Sequence, residues 1–262
     1  MSINIHPTAV ISPKAEISDG VKIGPFCFVD GDASIGQGTE LTAFVSIHSH
    51  VTIGRDCLIC EHSAIGGDPQ DHAYKGEISY VKIGDRNIIR ENVTISRATG
   101  EGNATVVGSD CFIMEGVHFA HNVKVGDAVT VANKVGLSGF VEVGSHTVFG
   151  GMAGVHQFVR IGDYCMIGGL YRVSKDVPHY TLASGEPLRL SGLNKIGLQR
   201  GGFSPEVIRE IYRFYRNLYR PEVSFTEAMN EILPHKSEYI PEIVRIIDFY
   251  AGTKRGVTFW CK

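Results

Sequence analysis

The sequence predicts a mainly β protein, a parallel β-helix of hexapeptide repeats followed by a C-terminal α-helical subdomain. Three observations support this prediction. Every sixth residue from Ile5 to Val173 is aliphatic or Phe, except at Asp71, Glu77 and Glu101. Small or β-branched residues recur two positions before this ladder, and the periodicity becomes helical after the repeats end. The period of six therefore determines the predicted fold.

Each hexad is interpreted as a short strand and a corner. The second column, as at Ala9, Val21 and Cys27, points to the same side as the ladder, with one outward residue between them. A glycine often follows the ladder residue, as at Gly24 and Gly108, where a corner needs positive φ or close backbone approach. One hexad cannot bury its apolar side alone, so successive hexads must stack.

Three hexads close one coil of about 18 residues, so residues one coil apart should lie above one another. The triangular cross-section and the left-handed winding are implied by the resemblance of these repeats to hexapeptide-repeat proteins. A β-sandwich or barrel is the alternative fold. Its strands would alternate with a period of two and break roughly every 8 to 12 residues, which does not match the observed period.

Two polar excursions interrupt the repeats, at residues 66–80 and 96–105. The first contains Asp71, His72 and Lys75, and it is interpreted as functional because loops on rigid scaffolds often bind or react with ligands. For the second, a functional loop and a tolerated insertion at a corner are equal alternatives.

The predicted β-helix domain spans residues 1–190, and the helical domain spans residues 191–262. Ser204 and Pro205 form a predicted N-cap and first helical residue. The helix that follows has an apolar face and an opposite basic face, and further helices are expected near 225–233 and 241–250. The basic face, which fits either an acidic partner or simple solvation, comprises Arg209, Arg213, Arg216 and Arg220.

Composition and charge exclude several classes of protein. The formal net charge of -3 disfavours a nucleic-acid partner, and no run of apolar residues is long enough for a membrane span. The repeats begin by Ile5, which leaves no room for a cleavable signal, so a cytoplasmic location is expected. Cys57 and Cys60 form a CxxC, but no second pair accompanies them, so neither a metal site nor disulfides are predicted.

The uninterrupted repeats after Val107 allow side chains to be placed by counting. One column contains His121, Gly139 and Gln157, and the adjacent column contains His156, with His118 half a hexad earlier. A histidine can accept a proton from a hydroxyl, and a bare backbone N–H can stabilise an oxyanion. We therefore hypothesise acyl transfer on this wall, although isolated histidines more often satisfy surface backbone groups.

A further column, Asn133, Gly151 and Gly169, lacks side chains at two of its three positions. It predicts a groove for an extended ligand.

Several segments carry a resemblance to a known family. They are HFAHN (118–122), GGMAGVHQF (150–158), GGDPQDHAYKGE (66–77), IGDRNIIRENVTI (83–95) and GLNKIGLQRGGF (192–203). Together with the repeats and the helical tail, they closely resemble the UDP-N-acetylglucosamine 3-O-acyltransferases of lipid A biosynthesis. The resemblance extends over essentially the whole chain.

The resemblance implies transfer of an R-3-hydroxyacyl chain from acyl carrier protein to the 3-hydroxyl of UDP-GlcNAc. It also implies a homotrimer with its sites between subunits. No cofactor is expected beyond the phosphopantetheine that arrives on the carrier protein.

The resemblance also implies roles for individual residues. His121 matches the catalytic base, and Gly139 would place its N–H on the thioester oxygen. The residues expected to hold the nucleotide sugar are Asp71, His118, Gln157, Asn194 and Arg200, to which the column argument adds His156. The acyl groove is expected at Gly151, Met166 and Gly169. Because acyl carrier protein is acidic, the four arginines become its expected docking surface.

The chain departs from the family pattern at four positions. Asn122 stands where an Asp often follows the catalytic histidine, so a backbone carbonyl is the expected substitute for orienting the imidazole. Phe140, Ala73 and Ile196 replace a His, a Lys and a Glu found in other members. Acyl length therefore stays open, as does the choice between UDP-GlcNAc and its 2,3-diamino analogue.

Four other functions are alternatives. The N-acyltransferase of the same pathway carries an extra N-terminal domain, and acetyltransferases that use coenzyme A lack the specific motifs above. A γ-type carbonic anhydrase would bind zinc through three histidines from two subunits. A purely structural solenoid would not need a converged His, Gln and Gly.

Overall fold

The computed structural model describes residues 4–261 and contains a left-handed parallel β-helix with four α-helices after it in that range. The strands are, in chain order, β1 (Asn4–Ile5), β2 (Val10–Ile11), β3 (Glu16–Ile17), β4 (Lys22–Ile23), β5 (Phe28–Val29), β6 (Ser34–Ile35), β7 (Glu40–Leu41), β8 (Ser46–Ile47), β9 (Val51–Ile53), β10 (Leu58–Ile59), β11 (Ala64–Gly67), β12 (Tyr80–Ile83), β13 (Ile88–Ile89), β14 (Thr94–Ser96), β15 (Ala104–Val107), β16 (Phe112–Ile113), β17 (His118–Phe119), β18 (Lys124–Val125), β19 (Thr130–Val131), β20 (Gly136–Leu137), β21 (Glu142–Val143), β22 (Val148–Phe149), β23 (Gly154–Val155), β24 (Arg160–Ile161), β25 (Met166–Ile167), β26 (Arg172–Val173), β27 (Thr181–Ser184) and β28 (Arg189–Leu193). The helices are α1 (Lys195–Arg200), α2 (Pro205–Leu218), α3 (Phe225–Ile232) and α4 (Pro241–Ala251), with a 3₁₀ helix at Leu233–Glu238.

Through β26, every third strand belongs to the same sheet. Sheet A runs from β1 to β25 and is extended by β27 and β28, sheet B runs from β2 to β26, and sheet C runs from β3 to β24. Neighbouring strands in these sheets are parallel, apart from the antiparallel pair β27 and β28. The predicted stacking of three-hexad coils is thus confirmed.

The register of the strands locates the two excursions within the stack. Thr130 pairs with Val148, which follows it by the three hexads of a regular coil. Ile59 pairs with Ile89 across the first excursion, and this coil is longer than a regular one by the length of two hexads. Ile89 pairs with Ile113 across the second excursion, and here the coil is longer by one hexad. Both excursions therefore leave the coil and return to it in register.

The ladder and the second column form the core of the β-helix. Ladder residues such as Ile35 and Ile47 are fully buried, as are Val21 and Ala33 of the second column. The four cysteines of the second column are buried and unpaired, as the sequence predicted, and they are Cys27, Cys57, Cys111 and Cys165.

Most glycines after the ladder residue serve close approach, and Gly66, with a φ of +87°, is the exception that has positive φ. A Cβ added at Gly108 would lie 2.7 Å from the carbonyl of Gly126 on the next coil. Positive φ falls instead on the residue three positions after the ladder, at side chains such as Asn122 and Phe140. Both reasons that the sequence suggested for these glycines therefore occur, close approach between coils at most of them and positive φ at Gly66.

One corner carries a continuous line of side-chain acceptors for the N–H groups of the preceding coil. Ser109 N donates to Asp127 Oδ1 at 2.7 Å, Asp127 N to Ser145 Oγ at 3.0 Å, and Ser145 N to Asp163 Oδ1 at 2.9 Å. The line ends where Asp163 N donates to Nδ1 of His179 at 2.8 Å. Each donor is the second residue after a ladder position, so the side chains of this corner satisfy the N–H groups at that position.

The helical part has its own core, which packs against the last coils. Ser204 caps α2 as predicted, because its side chain accepts from the N–H of Val207, and Ile211 and Tyr215 of this helix are fully buried. α3 and α4 confirm the two further predicted helices.

Sequence analysis missed the β27–β28 hairpin, α1 and the 3₁₀ helix. Strand β28 continues across residue 190, so the hairpin joins the last coil to the helices without a break. In residues 4–261, none of the helices combines the length and the apolarity that crossing a bilayer needs.

Candidate active site

Sheet B carries the predicted histidine wall. His118 pairs with Gly136, Gly136 with Gly154, and Gly154 with Arg172, so these four residues form one outward column. At the following corner, Phe140 N donates to His121 O and Phe158 N donates to Gly139 O, which stacks successive coils there too. The structure therefore brings together the residues that counting had placed on one wall.

These residues line a cleft of about 570 Å³ on the outer face of sheet B. Five of the predicted site residues lie in its lining, namely His118, His121, Gly139, His156 and Gln157. The cleft also has a floor of bare backbone, since Gly136 and Gly154 present no side chain and a Cβ added at either would enter open space.

The imidazole of His121 is held in one orientation. It is only 6 % exposed, and its Nδ1 lies 3.0 Å from Oδ1 of Asn122. The Asn122 amide is itself fixed by Thr99, whose N–H donates to Oδ1 at 2.9 Å and whose carbonyl accepts from Nδ2 at 3.1 Å. Because the amide oxygen faces the ring, Nδ1 carries the proton and Nε2 keeps a lone pair. A side-chain amide, and not the expected backbone carbonyl, orients this histidine.

The second excursion therefore helps to hold Asn122 in place beside His121. Thr99 lies in the middle of this excursion, and Asn103 of the same segment donates to the Thr99 carbonyl at 3.0 Å. Thr105 Oγ1 accepts from the N–H of Asn122 at 2.9 Å. The 96–105 loop thus holds Asn122 from two sides, and the functional alternative for this loop is the one that the contacts favour.

Gly139 combines two properties at the same point. A Cβ added there would lie 2.5 Å from both Cε1 and Nε2 of His121, so only glycine allows the imidazole its position. Gly139 is also the second residue after a ladder position, where Ser109 and its counterparts at the other corner give their N–H to a side chain. Among the described residues, the Gly139 N–H meets no acceptor, so it is available to a ligand in the cleft.

His118 is held as a neutral group beside His121 and Gly139. Its Nδ1 lies 2.7 Å from Oγ1 of Thr94, and burial lowers the pKa of its imidazole. His156 is exposed and lies with Nδ1 3.1 Å from the backbone oxygen of Gln157. Both can therefore offer hydrogen-bonding groups to a polar ligand.

Asp71 reaches His121 from the first excursion. One carboxylate oxygen, Oδ1, accepts from the N–H of Ala73 at 3.0 Å, and the other, Oδ2, lies 3.9 Å from Nδ1 of His121. The Ala73 hydrogen bond lowers the pKa of this carboxyl group, and the Thr99 side chain and then the nearby imidazole act in the same direction. Asp71 is thus an ionised carboxylate beside the buried imidazole.

Two predicted sugar-binding residues lie outside this cleft. Asn194 caps α1, since its Oδ1 accepts from Gly197 N at 3.1 Å while its Nδ2 donates to the Tyr164 carbonyl at 2.9 Å. Arg200 is exposed at the end of the same helix. Neither lines the cleft of its own chain.

The predicted acyl-groove residues lie on the other side of sheet B. Gly151 and Gly169 stack at the corner between sheets A and B, where a Cβ added at Gly169 would lie 3.0 Å from the Gly151 carbonyl. Met166 lies on sheet A, paired with Val148 and Leu182. None of the three lines the cleft that contains His121.

Sequence analysis missed part of the cleft lining, namely Gln70, Gly136, Gly154 and Arg172. Gly136 and Gly154 were detectable, because they occupy strand positions where glycine is unusual and marks close approach of a ligand or another backbone. The side chain of Arg172 at the end of this column is exposed and has no ion pair or hydrogen bond within residues 4–261.

The arginine face of α2 is divided by its neighbours. Arg209 pairs with Glu206 at 2.7 Å, and Arg220 pairs with Glu231. Arg213 and Arg216 are exposed, and no acidic side chain of the described range contacts them. Two of the four charges are therefore free to meet a partner.

The cleft does not coincide with a set of metal ligands. In the described part of the chain, the group of three possible ligands is Cys60, Glu61 and Glu91, which does not line the cleft. Glu91 is already paired with Arg90 at 2.7 Å.

Comparison with known proteins places the chain among acyltransferases. A family model described as UDP-N-acetylglucosamine O-acyltransferase, domain 2, matches residues 176–258, and one for bacterial transferase hexapeptide repeats matches residues 104–139. The chain is 48% identical to the acyl-[acyl-carrier-protein]--UDP-N-acetylglucosamine O-acyltransferase of Thermodesulfovibrio yellowstonii, over 97% of this chain and 98% of that protein. It is 42% identical to the protein of the same name from Syntrophobacter fumaroxidans, over 97% and 99%.

Solved structures give the same result. A UDP-N-acetylglucosamine acyltransferase from Bacteroides fragilis superposes with a TM-score of 0.92 and 39% identity, covering 97% of this chain and 99% of that one. A related structure from Acinetobacter baumannii superposes with a TM-score of 0.91 and 36% identity, with the same coverage of each chain.

We predict that Gly139→Ala displaces the His121 imidazole, because the added methyl group would overlap Cε1 and Nε2. The crystal structure of the variant should show a changed ring position, with a loss of about 1–3 kcal/mol in the free energy of unfolding from overpacking. Gly154→Ala is the matched control, since its methyl group enters open space. An unmoved imidazole in Gly139→Ala would contradict the prediction.

Proposed function

Because the chain belongs to the acyl-[acyl-carrier-protein]--UDP-N-acetylglucosamine O-acyltransferase family, we propose that it transfers an R-3-hydroxyacyl chain from acyl carrier protein to the 3-hydroxyl of UDP-GlcNAc. This is the first step of lipid A biosynthesis. The observation that carries the proposal is an oriented imidazole with a free Nε2 beside a backbone N–H that lacks an acceptor in residues 4–261. Acyl transfer to a hydroxyl needs a base and an oxyanion donor of this kind.

In the proposed reaction, Nε2 of His121 accepts the proton of the sugar hydroxyl as its oxygen attacks the thioester carbon. The carbonyl oxygen becomes an oxyanion and receives the Gly139 N–H. The tetrahedral intermediate then collapses, the C–S bond breaks, and Nε2–H returns the proton to the departing thiolate. The products are the ester and the free thiol of the carrier protein's phosphopantetheine, so no further cofactor is needed.

The polar groups around His121 fit a sugar with many hydroxyls. We assign His118, Gln157 and His156 to the nucleotide sugar, because they line the cleft on both sides of the reacting pair. Asn194 and Arg200 keep their proposed role through a neighbouring subunit, since they lie outside the cleft of their own chain. Arg200 suits a phosphate by its planar fork of donors.

A homotrimer with sites between subunits would complete this arrangement. Large apolar side chains flank sheet B at its two corners, with Met152 58 %, Phe158 50 % and Leu170 75 % exposed. Exposed apolar residues at the rim of a cleft favour contact with another protein surface. The acyl chain is assigned to this junction, along Gly151, Gly169 and Met166.

The free arginines of α2 support docking of the acidic carrier protein. Arg213 and Arg216 are assigned the main role, with Arg209 and Arg220 contributing less because each already has a carboxylate partner. We propose that the reaction takes place in the cytoplasm, in line with the expectation from the sequence.

The decisive test is product mass spectrometry with purified protein. UDP-GlcNAc and its 2,3-diamino analogue are each offered with acyl carrier protein loaded with hydroxyacyl chains of several lengths. The proposal predicts an ester on UDP-GlcNAc, and one chain length should dominate. An amide on the diamino analogue alone would reassign the acceptor, and stoichiometric zinc without acyl transfer would favour a carbonic anhydrase.

We predict that His121→Ala lowers kcat by at least ~100-fold while leaving the fold intact, because the general base is lost. His146→Ala is the matched control, since this exposed histidine stacks on Tyr164 at a different corner. Steady-state kinetics and circular dichroism provide the measurement. Near-normal turnover in His121→Ala would remove His121 from the mechanism.

We predict that Arg213→Glu with Arg216→Glu raises the KM for acyl carrier protein about tenfold and leaves the KM for UDP-GlcNAc unchanged. Reversed charges would repel the acidic partner, and the effect should be largest at low salt. Lys14→Glu with Lys82→Glu changes the net charge equally, at exposed positions of the β-helix. An equal loss for both substrates, or the same loss in the control, would contradict docking at this face.

A further inference from the structure

Two groups from different parts of the chain face Nδ1 of His121. Asn122 Oδ1 is at 3.0 Å and takes the hydrogen bond, while Asp71 Oδ2 is at 3.9 Å and makes none with the ring. An amide oxygen can orient an imidazole, but it has no net charge to offset the positive charge of an imidazolium. A carboxylate within about 4–6 Å can do so.

The geometry of the first excursion keeps this carboxylate in place. Asp71 starts a tight turn in which its Oδ1 accepts from Ala73 N and its backbone oxygen accepts from Tyr74 N at 3.1 Å. The side chain is one-quarter exposed. The turn uses Oδ1, and Oδ2 is the oxygen that lies towards the imidazole.

We propose that Asp71 is a positioning residue for catalysis, which stabilises the imidazolium form of His121 through charge while Asn122 fixes the ring. Orientation and charge compensation are thereby divided between two side chains. Asp71 was first assigned to the nucleotide sugar with His118 and Gln157, and the new role acts through the base instead. This inference rests on the proposed function.

The role follows each stage of the reaction. When the sugar hydroxyl gives its proton to Nε2, the ring gains a unit of positive charge while Nδ1–H stays bonded to Asn122. Asp71 lowers the free energy of the state in which the imidazolium faces the oxyanion, and no proton moves to the carboxylate. When Nε2–H protonates the thiolate, the ring is neutral again and Asp71 keeps its charge. The carboxylate thus acts most strongly in the charged stages, which raises kcat and not ground-state affinity.

The surroundings of the ring make Asp71 the nearest charge. Phe140 packs edge-on against the imidazole at 5.3 Å between centroids, and Gly139 closes another side with bare backbone. The other titratable or charged side chains lining the cleft are His118, His156 and Arg172. On its own segment, Asp71 has His72 next to it. In the described residues, Asp71 is the carboxylate that comes within 4 Å of the ring.

The test is a set of four steady-state experiments with UDP-GlcNAc and acyl carrier protein loaded with the hydroxyacyl chain that the wild type prefers. Asp71→Asn should lower kcat about tenfold and leave the KM for UDP-GlcNAc within about twofold, because the charge is lost and the shape is kept.

Rescue makes the test specific. Asn122→Asp in the Asp71→Asn background places a carboxylate at the other contact of Nδ1, and it should restore most of kcat. Asn122→Asp alone controls for the change at that site. Asp68→Asn is the matched control in the same excursion, because this carboxylate pairs with Arg97 and not with His121. It should leave kcat and the KM for UDP-GlcNAc unchanged.

Several outcomes would overturn the proposal. A raised KM for UDP-GlcNAc with unchanged kcat in Asp71→Asn would return Asp71 to sugar binding. A loss of kcat that Asn122→Asp does not relieve would indicate only a structural role for the excursion. Both outcomes leave the proposed function intact, which fails only if the wild type itself does not acylate UDP-GlcNAc.

Discussion

Backbone pairing of each coil with the next, in register, is the constraint on which this structure depends. A strand of two residues has little stability alone, and it persists because the coils above and below satisfy its backbone groups and cover its apolar side. The same pairing sets the site. His121, Gly139 and Gln157 each lie one coil apart in the sequence, and they meet because the coil repeats at that interval. The same coil repeat therefore determines both the stacking of the strands and the position of these three residues.

The excursions add what the repeat cannot provide. A regular coil places side chains only in columns, so it does not by itself surround one imidazole with partners from several directions. The 96–105 loop supplies Thr99, which fixes Asn122, and the 66–80 loop supplies Asp71. Strand pairing beneath each loop returns the chain to register, so the polar segments leave the core intact. His121 therefore has neighbours from two loops that are far apart in the sequence.

Sequence reasoning succeeded where position follows from periodicity. The coils, the inward cysteines, the cap of α2 and the wall containing His121 and Gly139 were all predictable by counting. Sequence reasoning failed where tertiary contacts determine the partner of a side chain. Nothing local indicated that Thr99 would fix Asn122, or that Asn194 would cap a helix. The hairpin β27–β28 was also missed, because its strands follow the repeats and pair with each other through contacts that no period describes.

The glycine floor of the cleft has a consequence for how ligand size varies in this fold. Gly136 and Gly154 leave the backbone of sheet B uncovered, and no residue is smaller than glycine. Any substitution there can only fill space, so the present chain stands at the widest limit that these two positions permit. At these two positions, room for a larger ligand would require the strands to move apart, which the spacing of a sheet forbids. A single amino-acid substitution at either glycine would narrow the cleft for a smaller ligand.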